Sequence, residues 1–480
     1  MESPGRSAWR SEWTRGLVAI AGAARVLTDR ASLINYENDA LGFHRFRPDC
    51  VVIPDGSEEL AALVRYARDA ALPYTVRGSG TGLSGGSVAA EGGLILHLSR
   101  LKRILEVNVA DQYCVVEPGV VLHRLNEHLE AHGLFYPPDP SSGYASTLGG
   151  NVAENAGGIR CFKYGVTANY VLGVEALLLD GRLLRFGGPA GGLGRAAADW
   201  RALMVGSEGM LATFTRLWLR LKPLPEKVWT FLATFARLED AADMIVQLVH
   251  HPAFPVAIEF VDNKVVKLVE ASPMAAGLDP DSWLLVVELD GPEPLVDLQA
   301  RELEELLRRG KTRKVERTSD KEERLKLWKA RKVAAGLMGQ VSPDFFIQDA
   351  VIPRSCLGEV LRFIYEEAEK EGIHALNVFH AGDGNLHPNF LFDARNHDET
   401  EKIHRLGHRL MEKVVACGGT LSGEHGIGND KMEYIGLIFG PREIALQRSL
   451  LDLFNPNHQL NPGKVFPLRS YVGCCVPEKP

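Results

Sequence analysis

The spacing of hydrophobic residues predicts a mixed helix and sheet fold in the first half of the chain. In the segment 55–71, apolar residues recur three and four positions apart, which is the pattern of a helix with one buried face. Short apolar runs alternate with such helical segments and predict strands at residues 74–76, 94–98, 115–116 and 171–179. Asp180-Gly181 follows the last of these runs and predicts a hairpin turn.

The pattern changes after Lys222-Pro-Leu-Pro225, where two prolines mark a domain boundary. Longer helical patterns follow, together with a strand-like run at 283–289. The predicted helices span residues 238–250, 293–309, 357–371 and 400–417. The chain is therefore predicted to contain an α/β unit over residues 48–225 and a second domain after it.

Composition and charge narrow the function classes. The 480 residues include 61 acidic and 54 basic side chains, and the net charge of -7 does not favour nucleic acid or an anionic membrane as a partner. Seven cysteines without Cys-x-x-Cys spacing argue against a disulfide framework or an iron–sulfur cluster within this chain. No apolar run approaches the roughly 18 residues of a membrane span.

The N-terminal segment has some features of a signal peptide. Three arginines (Arg6, Arg10 and Arg15) precede a short apolar stretch. Acidic residues at Glu2 and Glu12 interrupt the basic region, and the stretch is only mildly apolar. We therefore expect a cytoplasmic protein.

A basic segment at 308–332 carries 12 Lys and Arg residues against 4 Asp and Glu residues. A solvated helix face explains this composition most simply. The alternative is a cationic flank that attracts a carboxylate substrate or an acidic partner protein.

Three glycine-rich loops predict a site for a phosphate-bearing ligand. Residues 77–86 follow a predicted strand and contain the spacing Gly-x-Gly-x-x-Gly of dinucleotide-binding loops. That motif requires a helix to begin at the loop, but Gly92-Gly93 leads directly into another strand. No Lys-Ser/Thr pair follows, which excludes a Walker A loop. What remains is a loop of bare backbone N–H groups that can hold a diphosphate, with similar loops at 147–158 and 206–209.

A histidine-containing hairpin is a candidate metal site. Asp383-Gly384 is a two-residue turn signal between strand-like runs at 374–380 and 386–391. A two-residue turn would pair His380 directly with His387 and place Val378 opposite Asn389. Directly opposed side chains are close enough for two imidazoles to share one ion.

A possible third ligand lies farther along the chain, in Ser422-Gly-Glu-His-Gly426. Two histidines and one carboxylate form the ligand set of catalytic zinc or open-sided divalent iron. Sequence spacing alone does not bring Glu424 to the histidine pair, and hydrogen-bonded histidines without a metal are the alternative.

Six motifs occur in an order that resembles one protein family. They are Arg77-Gly-Ser-Gly-Thr-Gly82, Pro137-Pro-Asp139, Thr147-Leu-Gly-Gly-Asn151, Asn155-Ala-Gly-Gly158, Gly206-Ser-Glu-Gly209 and Asn461-Pro-Gly-Lys464. The chain resembles FAD-linked oxidases of the vanillyl-alcohol-oxidase type. Within them it is most similar to the group that contains the glycolate oxidase FAD subunit and the D-lactate and D-2-hydroxyglutarate dehydrogenases. The resemblance extends from about residue 35 to residue 467.

The resemblance implies an α+β fold, with a two-subdomain FAD-binding domain and an α/β cap domain that contains an antiparallel sheet. The implied limits are 1–47 for an N-terminal helical segment, 48–225 for the FAD-binding domain, 226–440 for the cap with the metal site, 441–467 for a return to the FAD domain and 468–480 for a tail.

The resemblance also implies the residues that bind FAD. They are Arg77, Gly78, Ser79, Gly80, Thr81, Gly82, Leu83, Ser84, Gly85, Pro138, Thr147, Gly149, Gly150, Asn151, Asn155, Gly157, Gly158, Glu208, Gly209 and Asn461. Relatives with covalently attached FAD use a His or Cys in such loops. Neither residue type occurs within 77–87, so we expect noncovalent FAD.

The metal and catalytic residues follow from the same resemblance. It implies His380, His387 and Glu424 as ligands of a divalent metal (Zn, Fe or Mn) and His425 as the active-site base. Arg331 is expected to bind the substrate carboxylate through its planar fork, and Asn389 is a candidate polar contact. Apolar Ala335 and Ile347 occupy positions that read a second carboxylate elsewhere in the family, which favours a small 2-hydroxy acid.

The implied activity is oxidation of a small (R)-2-hydroxy acid, glycolate or D-lactate, to the 2-oxo acid. Two alternatives stay open: a metal-dependent hydrolase with a nucleotide-like substrate, and a non-catalytic electron-transfer flavoprotein subunit. Electrons are expected to leave to oxygen, a quinone, a cytochrome or a partner subunit such as an iron–sulfur protein. Such a partner would also place the chain peripherally at the inner face of the membrane. A homodimer is a further expected assembly.

Overall fold

The computed structural model describes residues 4–43, 45–188 and 199–467, with side chains from residue 12 onward. Its helices are α1 (Pro4–Ala21), α2 (Arg30–Leu33), α3 (Ser57–Asp69), α4 (Leu122–Glu130), α5 (Leu148–Glu154), α6 (Cys161–Tyr164), α7 (Trp200–Met204), α8 (Leu238–Val249), α9 (Asn263–Glu270), α10 (Glu293–Arg309), α11 (Lys321–Leu327), α12 (Lys329–Met338), α13 (Leu357–Glu371), α14 (His397–Ala416) and α15 (Pro441–Phe454).

The strands are β1 (Val26–Leu27), β2 (Cys50–Val52), β3 (Tyr74–Arg77), β4 (Leu94–His97), β5 (Ile104–Asn108), β6 (Tyr113–Val116), β7 (Leu134–Phe135), β8 (Val171–Leu177), β9 (Leu183–Gly187), β10 (Thr213–Arg220), β11 (Lys222–Pro223), β12 (Lys227–Phe235), β13 (Ala257–Val261), β14 (Trp283–Gly291), β15 (Thr312–Thr318), β16 (Asp344–Ile347), β17 (Ala350–Val351), β18 (His374–His380), β19 (Asn385–Leu386) and β20 (Pro388–Phe392). None of the described helices is long and apolar enough to cross a membrane.

The chain divides into two compact units. Unit 1 comprises the described parts of 1–156, 166–224 and 424–480, and unit 2 comprises 157–165 and 225–423. The chain thus re-enters unit 1 at residue 424, whereas the sequence placed this return at residue 441. The glycine-rich segment around residue 424 has no hydrophobic period, so its sequence does not indicate to which unit it belongs.

Unit 1 contains two larger sheets. The first has the order β1-β2-β4-β3, with β2, β4 and β3 parallel, and the second is antiparallel with the order β5-β6-β10-β8-β9. The apolar face of α3, including Leu60 and Leu63, packs against Leu94 and Leu96 of β4. Leu177 of β8 belongs to the same buried cluster, so residues from both sheets share one core.

Unit 2 is built on a large antiparallel sheet, as the resemblance implied. Its strand order is β15-β12-β14-β13-β18-β19-β17, and β20 pairs with both β18 and β16. Valines of α9 and the apolar face of α12 pack against the side chains of β14 in the core of this unit. The sheet therefore presents β13 and β18 side by side, a placement that matters for the site.

Most predicted elements are confirmed, including the helices at 293–309 and 357–371 and the hairpin at Asp180-Gly181. The described structure between β3 and β4 contains no helix, in agreement with the interpretation of the first glycine loop. The predicted register of the histidine hairpin is wrong, because the loop spans residues 381–384 and His380 pairs with Asn385.

The register error shifts the pairing by two residues. Asn389 lies opposite Leu376 and not opposite Val378. A shift of two residues keeps each side chain on its face of the sheet, since the side-chain period of a strand is two. His380 and His387 are therefore diagonal neighbours on one face.

Asp262 is a fully buried carboxyl in unit 2 that should control part of the pH dependence of stability. It caps α9 by accepting from the Val265 amide at 2.7 Å and also accepts from the Asn377 amide and the Tyr365 hydroxyl. Burial raises the pKa of Asp262 to about 6, above the value of about 4 expected in the unfolded chain.

The replacement Asp262→Asn should remove this pH dependence. Between pH 4 and 6 the folded state holds the extra proton, so the free energy of unfolding of the wild type rises as the pH falls. We expect the wild-type value minus the variant value to increase by about 2 kcal/mol from pH 7 to pH 4. Urea denaturation at a series of pH values measures this difference, and a difference that stays flat or grows with pH would contradict the assignment.

Candidate active site

Two buried histidines lie together in unit 2. His380 is the last residue of β18, and His387 lies at the break between β19 and β20. Their ring centroids are 5.1 Å apart with perpendicular planes, and each residue is only 4% exposed. The two imidazoles are therefore in contact on one face of the sheet, as diagonal neighbours and not as the directly opposed pair that the sequence predicted.

A buried carboxylate joins one of these histidines to the predicted substrate-binding arginine. Glu259 of β13 lies directly opposite His380 of β18 and is 0% exposed. Its Oε1 is 2.6 Å from Nδ1 of His380, and its Oε2 accepts from Nε of Arg331 at 2.8 Å. The sequence interpretation missed Glu259, although a single charged residue within the apolar strand Ala-Ile-Glu-Phe-Val was a signal for it.

A second buried carboxylate, Asp349, lies near the other histidine. Its Oδ1 is 3.9 Å from Nδ1 of His387, and its Oδ2 accepts from the Ser422 hydroxyl at 2.7 Å and the Gly423 amide at 3.1 Å. Val351 and Thr420 form a β-bridge in the same region. These contacts hold the segment of unit 2 that leads directly to Glu424, the predicted third ligand.

Asn389 lies in β20 and is also buried. Its amide donates to the carbonyl of His387 at 2.8 Å. The side chain thus supports the strand break at which His387 lies. Its predicted contact with substrate stays a prediction.

The predicted catalytic loop at 424–428 is held within unit 1 by Glu208. The two carboxylate oxygens of Glu208 accept from the amides of Ile427 and Gly428, each at 2.7 Å. His425 and Glu424 are adjacent in this loop, with His425 Nε2 3.9 Å from Glu424 Oε1. Glu208, which the resemblance assigned to FAD binding, therefore also fixes the loop that carries the predicted base.

Gly428 is a position in this loop where a side chain does not fit. Its φ is +53°, and a Cβ atom there would lie 2.1 Å from the carbonyl oxygen of Ser84. Gly428→Ala should lower the free energy of unfolding by about 2–4 kcal/mol, because it combines left-handed backbone strain with overpacking.

Chemical denaturation of the FAD-loaded protein measures this loss. Gly436→Ala is the matched control, since a Cβ atom at Gly436 would meet nothing within 4 Å, and its effect should stay within about 0.5 kcal/mol. Equal effects of the two replacements would contradict the close packing of the loop.

Most residues of the predicted cofactor loops lie in unit 1. The amide of Asn461 donates to the carbonyls of Gly86 at 3.1 Å and Glu208 at 2.7 Å, so this residue ties two glycine loops together. Arg77 donates to the carbonyls of Asn38 and Ser87 and thereby stabilises the first glycine-rich loop, residues 77–86.

The remaining predicted cofactor residues occupy the loops around this tie. Residues 78–85 connect β3 to β4, Thr147 is the N-cap of α5, and Asn155 ends that helix with φ +52°. Pro138 is buried after β7, and Gly209 precedes β10. Gly157 and Gly158 begin the short segment that belongs to unit 2.

Buried polar groups in these loops fit a polar cofactor. Several buried side-chain atoms in or beside these loops find no hydrogen-bond partner within residues 4–43, 45–188 and 199–467, among them Ser84 Oγ, Ser146 Oγ, Asn151 Nδ2 and Ser207 Oγ. Buried polar atoms are nearly always hydrogen-bonded in folded proteins. These atoms cluster in the predicted cofactor loops. A bound ligand with phosphate, ribose and ring heteroatoms would supply their missing hydrogen-bond partners.

Two neighbouring buried carboxyl groups in unit 1, Glu154 and Glu208, have raised pKa values. Burial raises the pKa of Glu154 well above its ordinary range, and the charge of Glu208 adds to this effect. Burial also raises the pKa of Glu208. The nearby ammonium of Lys464, which donates to the Val88 carbonyl at 2.6 Å, has its pKa lowered by burial to about 8.

The basic segment at 308–332 is largely neutralised by acidic side chains. Arg308 pairs with Glu304 at 2.8 Å, and Lys311 pairs with Asp240 at 3.1 Å. Further ion pairs join Arg313 to Asp279, Arg317 to Glu304 and Arg324 to Glu288. This arrangement favours a paired surface over a cationic flank that attracts a partner.

Comparison with family models covers most of the chain. A model described as "FAD binding domain" matches residues 48–187, and a model described as "FAD linked oxidases, C-terminal domain" matches residues 224–465.

The chain also has relatives of similar length. It is 37% identical over 443 residues to the glycolate oxidase subunit GlcD of Escherichia coli (strain K12), with 92% of this chain and 88% of that protein covered. It is 34% identical to the GlcD protein of Bacillus subtilis (strain 168), with 94% and 96% covered. A D-lactate dehydrogenase of Archaeoglobus fulgidus is 34% identical, with 86% and 90% covered.

Solved structures with low sequence identity share the fold. The chain is similar to p-cresol methylhydroxylase with substrate bound, at a TM-score of 0.79 and 16% identity over 95% of this chain and 97% of that one. It is also similar to the 4-ethylphenol oxidase of Gulosibacter chungangensis, at a TM-score of 0.77 and 19% identity over 97% and 98%.

Proposed function

Because the chain belongs to the FAD-linked oxidases, we propose that it is an FAD-dependent enzyme that oxidises a small (R)-2-hydroxy acid, glycolate or D-lactate, to the 2-oxo acid. Relatives named for glycolate and D-lactate oxidation support hydroxy acids as the substrate class. The observation that supports the proposal most directly is the contact of the buried carboxylate of Glu259 with both His380 and Arg331, together with the packing of His387 against His380.

Arg331 is oriented to receive a carboxylate. Its Nε is bound to Glu259, and its two terminal nitrogens make no hydrogen bond within the described part of the chain. These two nitrogens form a planar edge that suits bidentate binding of the substrate carboxylate. Anchoring at Nε limits rotation of the guanidinium, so binding costs little side-chain entropy.

The donor set around the histidine pair fits a divalent metal ion. We propose His380, His387 and Glu424 as its ligands, since two imidazoles and a carboxylate suit Zn, Fe or Mn with positions left for substrate. The carboxylate of Glu259 behind His380 is the partner that metal-binding histidines usually have. When bound, FAD would supply the hydride acceptor, and a metal held by His380, His387 and Glu424 would supply the Lewis acid that lowers the pKa of the substrate hydroxyl.

His425 is proposed as the base that takes the hydroxyl proton. An imidazole is largely neutral near pH 7 and can accept this proton as the hydride leaves Cα. Glu208 accepts hydrogen bonds from the amides of Ile427 and Gly428, just after His425. These bonds fix the backbone of the loop and support the proposed role.

Substrate size is proposed to be limited by two apolar residues. Ala335 is one helical turn after Arg331 on α12, so both residues lie on the same face. Ile347 lies opposite Asn389 in the sheet. Neither side chain can bind a second carboxylate, which favours glycolate or D-lactate over a 2-hydroxy diacid.

We propose that electrons leave the reduced cofactor to a partner subunit or a quinone. The names of the GlcD relatives describe a subunit of glycolate oxidase, which supports an assembly with other chains. A peripheral position at the inner membrane face through such a partner, and a homodimer, remain part of this proposal.

Anaerobic bleaching of the flavin absorbance tests the proposed substrate class. Purified FAD-loaded protein is mixed with glycolate, D-lactate, L-lactate or D-2-hydroxyglutarate. We expect rapid bleaching with glycolate or D-lactate and slow or no bleaching with the other two acids. Protein that purifies without flavin absorbance would favour the hydrolase alternative, and flavin that stays oxidised with every acid would favour the electron-transfer subunit.

A further inference from the structure

Glu259 occupies a central position that the proposed chemistry does not yet use. It lies in the middle of β13, with His380 as its direct partner on β18 and Val286 as its partner on β14. Both of its oxygens are engaged, one by an imidazole and one by a guanidinium. Burying a carboxylate this deeply is costly unless cations and hydrogen bonds compensate for lost water.

The hydrogen bond to Glu259 determines which nitrogen of His380 can bind a metal. An ionised carboxylate can only accept hydrogen bonds, so Nδ1 of His380 must carry the proton. The lone pair for metal binding is then on Nε2. Metal-binding histidines are commonly fixed in this way by a carboxylate on the other ring nitrogen.

The same carboxylate determines which edge of Arg331 can meet a substrate. With Nε bound to Glu259, the edge formed by the two terminal nitrogens is turned away from the carboxylate. Glu259 thus orients both the imidazole of His380 and the guanidinium of Arg331, which the proposed reaction requires and which are far apart in the sequence.

Resting on the proposed function, we propose that Glu259 is a positioning residue that sets metal affinity through His380 and substrate-carboxylate affinity through Arg331. The loss of Glu259 would therefore weaken both kinds of binding together. A residue with a merely structural role would lower stability without changing either affinity.

The replacement Glu259→Gln tests this coupling with little change in volume. A glutamine has one acceptor oxygen and one donor amide, whereas both neighbours of Glu259 are donors. One of the two contacts must break, and the remaining contact loses the full negative charge.

A matched control exists on the neighbouring strand. Glu288 of β14 is also buried and accepts from Arg324, Trp328 and Thr230, none of which is a predicted site residue. Glu288→Gln makes the same chemical change in the same sheet and reports the structural cost alone.

The experiment measures three quantities on FAD-loaded wild type, Glu259→Gln and Glu288→Gln. The first is Zn²⁺ affinity, by competition with a chromophoric chelator after metal removal. The second is the affinity for pyruvate, read as a change in the flavin absorbance spectrum at saturating Zn²⁺. The third is the thermal unfolding midpoint.

We expect Glu259→Gln to lower Zn²⁺ affinity by about 10- to 100-fold and pyruvate affinity by about 10-fold. Glu288→Gln should leave both affinities within about twofold, whatever it does to the unfolding midpoint. Glu259→Gln with wild-type affinities, or with losses no larger than those of Glu288→Gln, would overturn the proposed coupling.

A different result would contradict the proposed function itself and not only the role of Glu259. If His380→Ala binds Zn²⁺ as tightly as the wild type, the metal site itself is wrong, and the proposed coupling is overturned with it. If His380→Ala loses Zn²⁺ while Glu259→Gln keeps it, only the role of Glu259 is overturned.

Discussion

Replacing His387 with Ala is expected to lower kcat for the hydroxy acid by about a thousandfold. The proposed metal site loses one of its ligands, and with it the stabilisation of the alkoxide, for which several kcal/mol is the ordinary magnitude. FAD content should not change, because most of the predicted cofactor residues belong to unit 1, and His387 is not one of the predicted cofactor residues. Steady-state kinetics, metal analysis and flavin absorbance on one preparation check all three statements.

His374→Ala is the control for this replacement. His374 begins the same hairpin at the start of β18, but its side chain is exposed. Its loss should change kcat by less than twofold. An active, metal-containing His387→Ala protein would refute the role of the histidine pair as metal ligands.

Replacing Arg331 with Lys is expected to raise KM about 30- to 100-fold. Lysine keeps a positive charge beside Glu259, but it has no planar edge for bidentate binding of a carboxylate. Loss of one charged hydrogen bond commonly costs about 1.5–3 kcal/mol, or about 13- to 160-fold in affinity, and the expected rise in KM lies within this range. Because the carboxylate is bound before and during hydride transfer, kcat should fall much less than kcat/KM.

Arg324→Lys provides a control with a similar environment. Arg324 pairs with buried Glu288 at 2.9 Å, and its side chain is 22% exposed, compared with 17% for Arg331. The kinetic constants of this variant should stay close to those of the wild type. A KM that rises equally in both variants would mean that Arg331 acts through stability and not through substrate binding.

The fold was predictable wherever hydrophobic period and turn signals agreed. The helix α10 coincides with its predicted limits, and the antiparallel sheet of the second domain was implied by the resemblance. The histidine hairpin was not predicted correctly, since Asp383-Gly384 suggested a two-residue turn and the loop is longer. Turn signals indicate only the local preference of the chain for a turn conformation. The register of the histidine hairpin also depends on its pairing with the neighbouring strands β13 and β17.

The site was predictable only in part. The motifs and the resemblance led to His380, His387 and Arg331, and the structure places them in one unit, with Glu259 bound to His380 and Arg331 and with His387 packed against His380. Glu259 and Asp349 were missed because they are distant in sequence from the histidines that they approach. The residues that a buried carboxylate contacts depend on which strand pairs with its own strand. The pattern of a single sequence does not specify that pairing.

The most direct test of the account is anaerobic flavin reduction in protein stripped of divalent metal. FAD-loaded protein is treated with chelator, exchanged into metal-free buffer and mixed with glycolate or D-lactate in a stopped-flow instrument. The account predicts that the flavin stays oxidised and that added Zn²⁺, Mn²⁺ or Fe²⁺ restores bleaching in the wild type but not in His387→Ala. Bleaching at the full rate without metal, in protein shown by elemental analysis to contain none, would contradict it.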